Sequence, residues 1–142
     1  MYKETITYND FNGLERKEDF YFNLTKTELQ KMEVSKYGSL STMLSTMANA
    51  NDVPGMIEAI DNLVLKAYGE KSIDGRQFNK SDAISDAFLH SAAYDVLFNK
   101  MITNPDYLFK FIMGIVPVEM QEEMRKVAAD NPEIAAVLMP AE

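Results

Sequence analysis

The chain has 142 residues, 46% of them hydrophobic, which suits one domain with a real core and excludes a wholly disordered protein. Its 14 basic and 22 acidic side chains give a formal charge of -8 and a pI near 4.7, so it is not built to hold a phosphate backbone, and no nucleic-acid partner is expected. The absence of cysteine removes thiol catalysis, disulfides and thiolate metal sites, and the lone His90 leaves a single imidazole for proton transfer or metal binding.

Met1 to Asp10 is polar and alternating rather than basic and then apolar, so no secretory signal is expected. Tyr2, Glu4, Ile6 and Tyr8 fall on one face and Lys3, Thr5 and Thr7 on the other, the period of a strand. Asn9, Asp10, Asn12 and Gly13 cluster as turn formers, and a second β-prone run, Asp19 to Phe22, follows the charged stretch Glu15 to Glu18. This pattern predicts an N-terminal β-hairpin over residues 1–24. A two-stranded hairpin is marginal alone, so its aromatics must pack on helices or on another subunit's strands. An exposed strand edge and a surplus of apolar side chains point to self-association.

Thr25 and Glu28 then form a Thr-x-x-Glu capping box, the mark of a helix start. Leu40, Met43, Leu44 and Met47 recur at helical spacing. Asp52-Val53-Pro54 opens a further helix with Met56, Ile57, Ile60, Leu63, Val64 and Tyr68 along it, which Gly69 is expected to stop. Asp74-Gly75, flanked by Ile73 and Phe78, predicts a small hairpin or loop near residues 71–78. Ser81 to His90, Ala92 to Thr103 and Tyr107 to Ile115 read as three helices, punctuated by Asn104-Pro105 and Val116-Pro117. Pro117 opens another helix to Ala129, and Asp130 to Glu142 is expected to be a tail.

The expected fold is therefore α+β and mostly helical: the hairpin, then a bundle of about five or six short helices. Residues 1–142 form a single domain in this reading, with the hairpin over 1–24, a helical region over 25–129 and a flexible tail over 130–142. No apolar run reaches the ~20 residues of a membrane helix, so no membrane partner is expected and the protein should be soluble and intracellular.

No residue pattern signals catalysis. His90, in Phe88-Leu89-His90-Ser91, reads as a helix-end residue favourable near C-terminal carbonyls. Asp82 and Asp86 lie one helical turn apart without the spaced oxygen ligands of a calcium loop, and read as a solvated face. Tyr68-Gly69-Glu70-Lys71-Ser72 lacks the second glycine of a phosphate-binding loop, and no serine sits in a nucleophile-elbow pattern. No enzyme activity, cofactor or metal is expected. The compositional oddity is ten methionines, whose flexible thioethers line either a core or an adaptable binding surface.

Several strings carry a resemblance. Tyr2-Lys3-Glu4-Thr5-Ile6-Thr7-Tyr8, Asp19-Phe20-Tyr21-Phe22-Asn23-Leu24-Thr25-Lys26, Gly114-Ile115-Val116-Pro117 and above all Leu65-Lys66-Ala67-Tyr68-Gly69-Glu70-Lys71-Ser72 with Asp74-Gly75-Arg76 and Phe78 resemble the tail assembly chaperones of long-tailed, siphovirus-like bacteriophages. The resemblance runs over nearly the whole chain. It implies a protein that acts in the host cytoplasm during tail building, coats and solubilises the tape measure protein, helps recruit major tail (tube) protein subunits, and is absent from the finished virion. It also implies a longer product made by ribosomal frameshifting in many such genes, and rings or open helical assemblies. A structural tail component, such as a completion or connector protein, and a small host-directed binding protein are the alternative readings.

The partner surface is expected on the C-terminal helices. Tyr107 to Val118 supplies more apolar side chains than one buried helix face uses, and Glu119, Glu122 and Glu123 offer a charged rim. The candidate residues are Tyr107, Phe111, Met113, Met120, Glu122, Glu123 and Met124, with Ile134 and Leu138 of the tail. Intramolecular packing is the competing use of the same side chains.

Overall fold

The computed structural model describes residues 1–32, 51–119 and 121–122. The predicted helix through Leu40, Met43, Leu44 and Met47, and the tail over 130–142, lie outside the described residues. The rest is α+β and mostly helical, led by a β-hairpin, as the residue pattern predicts.

Strands β1 (Tyr2–Asn9) and β2 (Glu15–Phe22) pair antiparallel, with Tyr2 opposite Phe22 and Asn9 opposite Glu15. The second strand is longer than predicted, because the charged stretch from Glu15 joins the ladder with its side chains in solvent. The connecting loop is tied by Asp10: its Oδ1 accepts from the Asn12 and Leu14 N–H groups, each at 2.9 Å, and its Oδ2 accepts from Arg16 Nε at 2.6 Å. Gly13 takes the positive φ of 81° that closes the turn.

After β2 the capping box forms as predicted. The Thr25 hydroxyl accepts from Glu28 N at 3.1 Å while Glu28 Oε1 accepts from Thr25 N at 3.0 Å, opening α1 (Lys26–Met32). Helix α2 (Val53–Ala67) starts at Asp52, whose carboxylate accepts from Gly55 N, with Pro54 in its first turn. It buries Ala59, Ile60, Leu63, Val64 and Ala67, whereas Ile57, predicted on the same face, is exposed.

Gly69 does not stop this helix. The chain turns extended at Tyr68, and Tyr68–Lys71 forms β3, pairing Tyr68 with Phe22 and Gly69 with Tyr21. The role of Gly69 is close approach: a Cβ there would lie 2.7 Å from the Phe78 ring and 3.0 Å from the Asn79 carbonyl oxygen. Strand β4 (Phe78–Asn79) completes a four-stranded sheet ordered β1-β2-β3-β4, its predicted turn centred on Gly75 at φ 76°.

Helices α3 (Asp82–Leu89), α4 (Ala92–Thr103) and α5 (Pro105–Ile115) follow, each opened by a side chain that accepts from a first-turn N–H: Ser81 from Ile84, Ser91 from Tyr94, Asn104 from Tyr107. His90 caps the C-terminal end of α3 and is exposed, in the position expected for it. The core joins sheet and helices. Phe22 meets Tyr68, Phe88 and Phe111 with ring centroids 5.6, 5.7 and 5.1 Å away, and Tyr68 stacks on Phe88 at 4.2 Å. Tyr2, Phe20 and Phe22 of the hairpin thus find their cover on the chain's own β3 and helices, whereas Phe11 in its loop is left in solvent.

The segment leaving β2 is laced to two helix ends. Asn23 N donates to Ala67 O and Leu24 N to Ile115 O, each at 2.8 Å, which satisfies carbonyls left open at the C-termini of α2 and α5. Lys80 completes this junction. Its ammonium donates to Asn23 O and Glu28 Oε2 at 2.6 Å and to Lys66 O at 2.8 Å, and burial lowers its pKa.

Candidate partner surface

Helix α5 runs from the Asn104 cap through Pro105 at its first position, and it is apolar around most of its circumference. The chain itself absorbs nearly all of that surplus: Tyr107, Leu108, Phe111, Ile112, Ile115 and Val116 are buried. Phe111 lies fully inside, meeting Tyr2 edge-on at 5.4 Å as well as Phe22. Tyr107 packs beneath the Lys100 ammonium, 4.1 Å from its ring centroid, and among the described residues its buried hydroxyl meets no acceptor or donor at hydrogen-bond geometry. Tyr107 and Phe111 therefore face the core of the described chain.

Met113 is half-buried at the rim, and Glu122 is exposed. The structure ties these two regions together: Gln121 Nε2 donates to the Met113 carbonyl at 2.7 Å. Met120, Glu123, Met124, Ile134 and Leu138 lie outside the described residues. Val118, which the residue pattern did not single out, is 80% exposed between Met113 and the acidic residues. Its position just after a helix-opening proline was the available signal, since a first-turn side chain there has no preceding turn to pack on. Beside it Glu119 is exposed and lies 3.8 Å from Lys26 Nζ. The described part of this edge is thus half-buried Phe109 and Met113, exposed Val118, and Glu119 and Glu122 in solvent.

Beneath the same helix is a polar cluster that the sequence did not reveal. The Tyr2 hydroxyl donates to Glu4 Oε2 at 2.9 Å, and Lys100 Nζ reaches Glu4 Oε1 at 3.0 Å, joining β1 to α4. Burial is the main cause that pushes the Tyr2 phenol up to about 12, and it raises Tyr107 as well. A phenol whose folded pKa lies above its unfolded value holds its proton more tightly when folded. Its contribution is complete below pH 10 and is lost as pH rises through the window from about 10 to 12. We expect the free energy of unfolding, measured by urea denaturation, to fall by on the order of 1 kcal/mol across that window, since solvent around this half-buried ring screens part of the effect.

Gly114 sits where Tyr2 crosses α5, and a Cβ there would come 2.6 Å from the Tyr2 ring. Gly114→Ala should displace Tyr2 from its place over the helix and lower stability by about 1–3 kcal/mol, read from the same denaturation curves.

Asp82 and Asp86 are both exposed. Among the described residues no three acidic or histidine side chains converge on a point that could hold a metal ion, and no helix is long and apolar enough to cross a membrane.

Sheet, covering helices and apolar C-terminal edge define a small, mostly helical α+β protein with an acidic surface. The chain belongs to a family of phage tail assembly chaperones, whose model matches residues 1–137. Membership of a chaperone family points to a non-enzymatic role and to phage tail proteins as partners. No curated protein and no solved structure matches the chain.

Proposed function

We propose that this protein binds the phage tape measure protein during tail assembly, keeps it soluble, and helps recruit tail tube subunits around it. It self-associates, works in the host cytoplasm and leaves before the tail is finished. Family membership over residues 1–137 is the observation that carries this reading. The tape measure's long amphipathic helices have apolar faces that need temporary cover, and an apolar edge with a carboxylate rim suits helices bearing Lys and Arg beside such a face.

The contact surface in this reading is the C-terminal edge of Met113 and Val118, bordered by Glu119 and Glu122, and the residue pattern adds Met120, Glu123, Met124, Ile134 and Leu138 as candidates. Tyr107 and Phe111 support it from below. The test is co-expression with the adjacent tape measure candidate, followed by solubility and pull-down assays. A variant carrying Glu122→Lys, Glu123→Lys, Met120→Ala and Met124→Ala should lose most capture at matched expression while keeping its melting temperature. Full capture by that variant would move the surface elsewhere. Presence of the protein in purified particles at fixed copy number would instead identify a structural tail component.

A further inference from the structure

The sheet has two outer strands, and they are guarded very differently. On one side β4 spans only two residues, Phe78–Asn79, and a very short edge is poor bait for another strand. On the other side β1 runs for eight residues and, among the described residues, pairs with β2 alone. It holds no proline, and its one-to-one register with β2 is unbroken from Tyr2 to Asn9, so no bulge twists it away. The backbone groups on its outer side can be identified. Asp10 N donates to Leu14 O, which marks this directly opposed pair as hydrogen-bonded. Antiparallel ladders alternate, so Tyr8, Ile6, Glu4 and Tyr2 bond inward to β2, while Lys3, Thr5, Thr7 and Asn9 point their N–H and C=O groups outward.

Charge selects the occupant. Residues 37–142 carry 8 basic and 15 acidic side chains, so contacts between these parts of two copies are opposed by repulsion. Strand β1 carries one lysine, Lys3, and one glutamate, Glu4, and is neutral. A strand edge is also complementary to itself, which a twofold contact requires. We propose that β1 pairs antiparallel with β1 of a second copy about a twofold axis at Ile6, joining two four-stranded sheets into one. This register alone engages all four outward-facing residues: Lys3 lies opposite Asn9 of the second copy, and Thr5 opposite its Thr7. Glu4 meets Tyr8 of the second copy, so no like charges oppose each other across the seam. The inference rests on the self-association proposed above and assigns it a surface.

The chain has no native cysteine, so cross-linking reports single sites cleanly. In the Ile6-centred register, a mixture of full-length Thr5→Cys and Thr7→Cys proteins should form disulfide-linked dimers faster than either alone, because like positions sit diagonally, about 7–8 Å apart, beyond easy disulfide reach. Thr7→Pro removes an outward N–H, which an edge strand tolerates, and should weaken dimerisation roughly tenfold or more in light scattering. If that variant melts early, Thr5→Lys with Thr7→Lys places like charges along the seam on side chains already in solvent and should weaken association to a similar degree. A wild-type protein that stays monomeric from micromolar to millimolar concentration overturns self-association and this pairing together. Association that survives both edge variants, with no advantage for the cysteine mixture, overturns the β1 seam and leaves self-association standing on another surface.

Discussion

Replacing Phe22 by alanine is expected to destabilise the protein by about 4 kcal/mol, enough to unfold much of a domain whose total stability lies in the usual range of roughly 5–15 kcal/mol. Phe22 is 0% exposed and touches three rings from three elements, Tyr68 of β3, Phe88 of α3 and Phe111 of α5. Its deletion leaves a cavity that cannot collapse without moving the sheet against two helices. The loss combines the transfer energy of the ring with forfeited edge-to-face contacts, so it should exceed that of a leucine truncation at a single interface. Urea denaturation followed by far-UV circular dichroism measures it. A loss under 1 kcal/mol would mean that the junction of hairpin and helices is looser than the ring distances indicate. Removing residues 1–24 altogether takes away Ile6 and Leu24 as well as Phe22, and is expected to leave no cooperative transition.

Lys80→Met is expected to cost about 2–3 kcal/mol, although it changes no apolar contact of the core. Methionine can follow the lysine stem but leaves Asn23 O, Lys66 O and Glu28 Oε2 without the donor they now share. The carbonyls belong to the end of β2 and the last turn of α2, so their loss loosens the same joint from its polar side. The carboxylate is the larger part, because Glu28 is only 33% exposed at its side chain and loses its cationic partner beside buried surface. Lys80→Met with Glu28→Gln should therefore recover part of the loss, since a neutral amide still caps Thr25 N without stranding a charge. If the double variant is no more stable than Lys80→Met, the carbonyls carry the effect and the ion pair adds little.

Much of the local structure follows from residues near one another in the chain. Alternation in Tyr2 to Tyr8 is written in consecutive residues, and the Thr25 and Glu28 capping box, Asp52 before Pro54, and the serines and asparagine ahead of α3, α4 and α5 act within four residues of the backbone groups they satisfy. No tertiary partner is needed to make those choices, so the hairpin, the helix starts and the turn at Asp74-Gly75 were legible. The length of β2 was partly hidden, because its charged first half, among the described residues, pairs only with β1 and shows no apolar alternation.

What needed the fold was decided by partners distant in sequence. Tyr68 continues the helical spacing of Ile60 and Val64, yet it becomes strand because Phe22 pairs with it and because Gly69 lets Phe78 and Asn79 come close. Lys80 looks like an ordinary surface lysine until three acceptors, separated from it by 14 to 57 residues in the chain, converge on its ammonium. The apolar excess of α5 read equally well as a binding surface or as core. Tertiary packing settled Phe111 and Tyr107 inward, since sheet and α4 together cover more of a helix than one face, and it left Val118 in solvent. Local hydrogen bonding and periodicity thus determined which elements form, whereas burial, which sums over contacts far apart in the chain, decided how each is used.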